Sequence, residues 1–225
     1  MQMMPDFHAA GRQYLRNDAC GAAAFCFYSE IRRRPDHGGA WNGLALALGL
    51  MRMEEDLRTV LARYALNRKL PYDKQLVTSA LFLFRAMPRT LLEWVRSLQS
   101  RPGLGEQERR AFAAMAEDFE SQIRRMDAAR AEGDPPLEQL ALRQTGLDAI
   151  YQAGPDAFIA QADALLKQGD AAALAAVRLL CMLPDPRGEK LLRRACRDES
   201  LSGKVRTHAL LALKWSGVRG KARLA

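Results

Sequence analysis

Apolar residues recur along the chain at intervals of three and four, the period of a helix with one buried face. A first helix is predicted over Pro5 to Arg16, with Gly11 and Tyr14 on one side. A second runs from Gly21 to Arg33, with Ala23 and Phe27 four apart, and Pro35 stops it. Gly38-Gly39 turns the chain into a third helix, Trp41-x-x-Leu44-Ala45-x-x-Leu48. A fourth carries Leu57, Val60, Leu61 and Tyr64 and ends near Asn67. The segment Asp73 to Met87 contains Ala80-Leu-Phe-Leu-Phe84, apolar nearly all round, so this helix is expected to be central and buried on several sides. Pro88 opens another helix, with Leu91, Leu92, Trp94, Val95 and Leu98 inward, and Arg101 to Gly105 reads as a loop.

A long helix follows from Glu106 to about Glu132. Phe112, Met115, Phe119, Ile123 and Met126 form a narrow seam on it, suited either to a groove of the same chain or to self-association. Gly133-Asp-Pro-Pro136 is the candidate domain boundary. Beyond it, one helix is expected over Leu137 to Ala153, ended by Gly154-Pro155. Asp156 is the expected N-cap of the next helix, which Gly169 closes, and Asp170 that of Ala171 to Leu183. Glu189 to Arg197 and Gly203 to Trp215 complete the helical part.

Two repeats emerge from this pattern. Val177-Arg178 and Val205-Arg206 stand 28 positions apart, with Asp170 and Asp198 in the same register. A supersecondary unit recurring about every 30 residues marks a solenoid, since each hairpin has one apolar face that it buries only by stacking. The fold class is therefore all-α, an α-solenoid of antiparallel hairpins with about eleven or twelve helices.

Gly11, Tyr14, Ala23, Phe27 and Pro35, then Trp41, Leu44 and Ala45, resemble the tetratricopeptide repeat, a unit of about 34 residues that sets small residues beside large ones. Glu30 and Leu57 depart from that pattern, standing where the family has small residues. The Asp…Val-Arg pattern is similar to short bacterial HEAT-like repeats. That resemblance implies that Arg178 and Arg206 pair with Asp170, Asp198 or Asp185. The expected organisation is tetratricopeptide-like repeats over 1–70, a helical middle over 71–133, HEAT-like repeats over 134–217 and a basic tail over 218–225.

Composition adds little until charge is placed along the chain. Of 225 residues, 48% are apolar and 27% charged, ordinary for a globular protein. The net charge is +8, and residues 186–225 hold eleven Lys or Arg against three acids, which accounts for all of it. Such an asymmetry points to an anionic partner or to a polar terminal cap. Arg193, Arg194, Arg197 and Lys214 are the candidate binding cations, and Trp215 beside them is a candidate stacking residue if exposed. On the first repeats, Arg12, Arg16 and Asn42 are candidate groove residues.

Cys20, Cys26, Cys181 and Cys196 lie in apolar helical runs without zinc-site spacing, so they read as packing residues. Glu54-Glu55-Asp56 reads as helix-start acids, with a metal or amine site as the alternative. Met1 to Phe7 lacks the features of a signal peptide, and no apolar run is long enough for a membrane span. Phosphate loops, nucleophile elbows and metalloprotease motifs are absent. The HEAT-like pattern and basicity are also similar to alkyl-purine DNA glycosylases, but the adjacent tryptophans of their cleft are missing. The expected function is a non-enzymatic cytoplasmic scaffold for a protein or peptide, monomeric or homodimeric, without cofactor, metal or membrane. The alternative is nucleic-acid binding through the basic C-terminal repeats.

Overall fold

The computed structural model describes residues 6–126 and 133–218. The expected helix start at Pro5, the end of the long helix near Glu132 and the basic tail past Val218 lie outside the described residues. Those described are all helical, without strands. The first seven helices are α1 (Phe7–Arg16), α2 (Cys20–Arg33), α3 (Gly38–Leu50), α4 (Glu54–Leu66), α5 (Lys74–Leu83), α6 (Pro88–Leu98) and α7 (Glu106–Arg125). The rest are α8 (Leu137–Leu142), α9 (Gly146–Leu165), α10 (Asp170–Leu180), α11 (Pro186–Arg197) and α12 (Gly203–Trp215).

In the N-terminal half each helix packs on the next, and α1, α3 and α5 lie side by side in one outer layer. Small residues set the spacing. A Cβ on Gly11 would stand 2.8 Å from the Phe27 ring, and one on Gly43 2.5 Å from it, so the ring of α2 fills space that only glycine leaves in α1 and α3. Short polar side chains start the outer helices. Asp6 accepts from the Ala9 amide at 2.9 Å, His37 Nδ1 from Ala40 at 3.1 Å, and Asp73 from Gln75 at 2.9 Å. Glu30, out of place as a repeat residue, is buried and carries its own counter-ion, Arg34.

The loop after α6 returns a charge to the core. Arg101 is wholly buried, and its guanidinium donates to the carbonyls of Tyr64, Ala65, Asn67 and Leu70. Tyr64 and Ala65 are among the carbonyls that the end of α4 leaves without helical partners, and Asn67 and Leu70 belong to the turn that follows it. Among the described residues no acid pairs with Arg101; the negative end of the α4 dipole and the Tyr64 ring, 4.3 Å below, receive the charge instead. The linker 133–136 is fastened as well. Asp134 accepts from the Arg89 amide at 3.1 Å, and Glu93 accepts from Leu137 at 2.7 Å, so the linker caps the start of α6 and α6 caps the start of α8.

The C-terminal helices do not run on from α7. α8 packs on α4 and α12 touches α2, which lays this block back against the second helices of the N-terminal hairpins. The approach is close: a Cβ on Gly21 of α2 would fall 2.2 Å from the carbonyl oxygen of Cys181, just past α10. Cys181 Sγ in turn lies 3.7 Å from Met51 Sδ. All four cysteines are buried and free.

Several expectations are corrected. The run Leu137 to Ala153 is two helices, because Thr145 and Asp148 form a capping box that restarts the chain at Gly146. Gly154, at φ 74, breaks α9 before Pro155, and Asp156 pairs with Arg187 rather than capping. Gly169, not Asp170, is the N-cap of α10. The helix from Asp73 ends at Leu83 and is not enclosed, since Phe82 is 65% exposed. α7 packs on α6, with Phe112 buried and Met115, Phe119 and Ile123 partly buried.

Arg101 yields a direct test. Arg101→Lys should cost roughly 3 kcal/mol in urea unfolding, because an ammonium lacks the planar fork that reaches several carbonyls at once. A loss below about 1 kcal/mol would show that charge alone, not the fork, holds the end of α4.

Candidate functional site

The basic residues singled out in the sequence fall into two places. Arg193, Arg194 and Arg197 of α11 come together with Lys190 and Asp198 around a shallow hollow of about 440 Å³. Two of these four cations are paired with acids. Glu189 binds Arg193 at 2.7 Å, and Asp163 of α9 binds Arg194. Arg187, on the same helix, pairs with Asp156 at 2.6 Å and with Asp185 at 2.7 Å. Asp163 and Asp185 are held below the usual carboxylate range, chiefly by their hydrogen bonds from Arg194 and Arg187.

Lys214 and Trp215 lie apart from that hollow, at the end of α12. Lys214 reaches Asp18 at 3.2 Å, across to the turn after α1. Trp215 is half-buried against the core, which corrects the expectation of an exposed stacking ring. One of the arginine staples implied by the HEAT-like resemblance, that of Arg178, is not formed. Asp185 binds Arg187, Asp198 binds Ser200, and Arg178 is exposed on α10 without an ion pair to them or to Asp170. Among the described residues no cluster of His, Cys, Asp or Glu is placed to hold a metal ion.

Arg12 is exposed on α1, and Arg16 on its last turn. Asn42 of α3 is occupied: its amide donates to Asp73 at 2.8 Å and to Gln75 at 3.0 Å, tying α3 to the start of α5. The outer layer also carries exposed apolar side chains that the sequence reading did not single out. Leu46 and Leu50 of α3 are 51% and 55% exposed, comparable to Phe82 of α5. For Leu46 and Leu50 the signal was present, because two leucines lie off the Trp41, Leu44, Ala45, Leu48 face.

The densest polar chemistry lies at the seam between the two halves. Asp148, near the start of α9, accepts from Arg63 at 2.7 Å, from the Thr145 amide and hydroxyl at 2.8 Å, and from the Tyr28 hydroxyl. Arg63 also donates to the carbonyls of Ala141 at 2.9 Å and Arg143 at 2.7 Å. The hydroxyls of Ser29 and Tyr151 bond beside them. Burial opposes the Asp148 charge, but the bonds from Arg63, Tyr28 and Thr145 outweigh it and bring the carboxyl to about 2. Burial and the Asp148 bond push Tyr28 up to about 12.

Asp56 of α4 meets the same seam and shifts the other way. Burial raises its pKa, opposed by the bond it accepts from the Gly146 amide at 3.0 Å. The remaining seam acid, Glu55, binds Arg58 and Arg143. Glu55 and Asp56 of the Glu54-Glu55-Asp56 cluster therefore receive the α8–α9 turn, and Glu54 faces Arg58. The groups around Asp148 are bonded to one another across the two halves, so they bear on stability.

Family models, curated proteins and solved structures give no match to this chain.

The two seam carboxylates predict opposite responses. Asp148 is depressed, so its contribution is complete above its unfolded value of about 3.9 and is lost as the pH falls through about 2. Asp148→Asn should cost roughly 3 kcal/mol at neutral pH and flatten that acid limb, measured by urea unfolding across the pH range. Asp56, being raised, weakens the fold as it ionises with rising pH. Asp56→Asn keeps an acceptor for Gly146 and removes the buried charge, so neutral-pH stability should hold or rise. A loss beyond about 1 kcal/mol would show that the fold needs the charge itself.

Proposed function

We propose that this protein is a non-enzymatic scaffold, an α-solenoid of tetratricopeptide-like and then HEAT-like hairpins, that docks a protein or peptide on the layer of α1, α3 and α5. It would work in the cytoplasm of a bacterial cell. The observation that supports this reading is the exposure of Leu46, Leu50 and Phe82 on that layer. The opposite side of the same hairpins is filled by the chain's own C-terminal block. Large apolar side chains left in water beside one another are the usual mark of an interaction surface. A row of parallel helices presents the shallow groove in which extended or helical segments dock.

Nucleic-acid binding through Lys190, Arg193, Arg194 and Arg197 is the second reading, favoured by their shared hollow. It ranks lower because Glu189 and Asp163 already satisfy two of the four cations. Phosphate binding would have to displace those acids, whereas counter-ion release is the main source of affinity for nucleic acid.

Photo-crosslinking separates the two. A photoreactive residue is placed at Leu46, at Phe82 or at Lys190, and the adducts formed in lysate are sorted by protease and nuclease. Protein adducts at Leu46 and Phe82 are expected. Nuclease-sensitive adducts at Lys190, with none at the other two positions, would replace the first reading by the second.

A further inference from the structure

The outer layer has a chemical bias. Arg12, Arg16 and Lys74 are the charged residues of α1, α3 and α5, and none of the three helices contains an acid. α3 has no charge at all. The register of α3 against α5 then places two further cations at one edge. A Cβ on Gly38 would lie 3.5 Å from Pro71, and Asn42 bonds to Gln75, two contacts with the same separation of 33 positions. The helices therefore run parallel, the same offset carried along them sets Leu50 level with Leu83, and Arg52 and Arg85 each follow two positions past a helix end at that edge. Neighbouring helix axes lie about 8–10 Å apart. Leu50 and Phe82 are exposed, each within three positions of an exposed arginine, Arg52 and Arg85, and Arg85 lies over the Phe82 ring at 4.7 Å. Neither arginine has an ion pair among the described residues. Glu54, close to Arg52 in sequence, is turned to Arg58.

Arg52 has a second peculiarity. Its amide donates to Gly49 and that of Met53 to Leu48, both at 3.0 Å, which is the Schellman closure of a helix. The residue at this position takes the left-handed region, where glycine is the default, and Arg52 sits there at φ 55. Asp18 takes the equivalent strained position after α1, at φ 58, and its side chain meets Lys214. The Arg52 side chain has no such partner, and a strained residue with no structural return is a sign of function.

We propose that the α3–α5 edge receives an acidic segment of a partner protein. Leucine or aromatic side chains of that segment lie on Leu46, Leu50 and Phe82, and its carboxylates pair with Arg52 and Arg85. This rests on the docking role given to the outer layer and adds the chemistry of its partner. Charge complementarity selects an acidic partner, since the face offers cations and apolar groups without carboxylates on its helices.

The test uses the full chain and a short fluorescein-labelled peptide that interleaves glutamate with leucine and phenylalanine, followed by anisotropy. Two counterparts accompany it, one with lysine for glutamate and one with alanine for the apolar residues. The acidic apolar peptide alone should bind. Arg52→Ala or Arg85→Ala should weaken it about two- to fivefold, as for exposed ion pairs. Leu50→Ala or Phe82→Ala should weaken it about tenfold. Equal binding of the lysine peptide, or indifference to both arginine changes, overturns the acidic chemistry and leaves docking on the layer standing. Failure of every peptide to show binding that depends on Leu50 and Phe82 overturns both. Arg52→Gly separates recognition from folding. It should raise the unfolding temperature while weakening the peptide as Arg52→Ala does, and a lower unfolding temperature would show that the arginine serves the fold.

Discussion

Arg63 of α4 is the residue through which the two halves of this protein become one. Its guanidinium takes the last carbonyls of α8, at Ala141 and Arg143, and the carboxylate of Asp148 near the start of α9. A helix end and a helix start, each with unsatisfied polar groups, are thereby closed by one side chain from the other half. The break between α8 and α9 thus depends on a residue nearly eighty positions away. Tyr28 completes the shell around Asp148, so both α2 and α4 are tied to α9. Removing either charge would strand the other in a half-buried site, which is why such pairs are costly to break although they add little to net stability.

The same folding-back changes the meaning of the charge asymmetry. Counted along the chain, the C-terminal forty residues hold the whole positive excess. In space, Asp156 and Asp163 come from α9 to Arg187 and Arg194, and Asp18 comes from the first hairpin to Lys214. A one-dimensional count assigns these acids to a neutral N-terminal portion. The basic surface expected from the sequence is therefore partly an internal set of ion pairs.

Periodicity made the helices legible, because each needs one apolar stripe and ends at Pro, Gly or a short polar cap. α1 to α4, α6 and α12 are found where the pattern puts them, within a residue or two. What escaped the pattern was long-range. The Thr145–Asp148 capping box is written in the sequence, but an apolar run from Leu137 to Ala153 hid it. Arg101 looked like a loop residue because its partners are backbone carbonyls, which carry no side-chain signature. Phe82 looked buried because an all-apolar helix is usually enclosed, and here no further hairpin stacks on α5. Asn42, selected as a groove residue, is held by Asp73 and Gln75, and only the register of α3 against α5 reveals that.

Arg101 and Arg52 show how helix ends divide the work of this fold. Both lie at the C-terminal end of a helix, where the dipole favours a cation. Arg101 is enclosed, and both its terminal nitrogens donate to carbonyls at and just past the end of α4. The end of α3 needs no such help, since the Schellman bonds of Arg52 and Met53 already close it. A glycine there would close it with less strain, by about 1 kcal/mol. The side chain of Arg52 therefore adds nothing to the closure that its own backbone does not supply. Its position beside Leu50, at the edge that also carries Arg85 and Phe82, makes that edge the part of the surface least accounted for by folding alone.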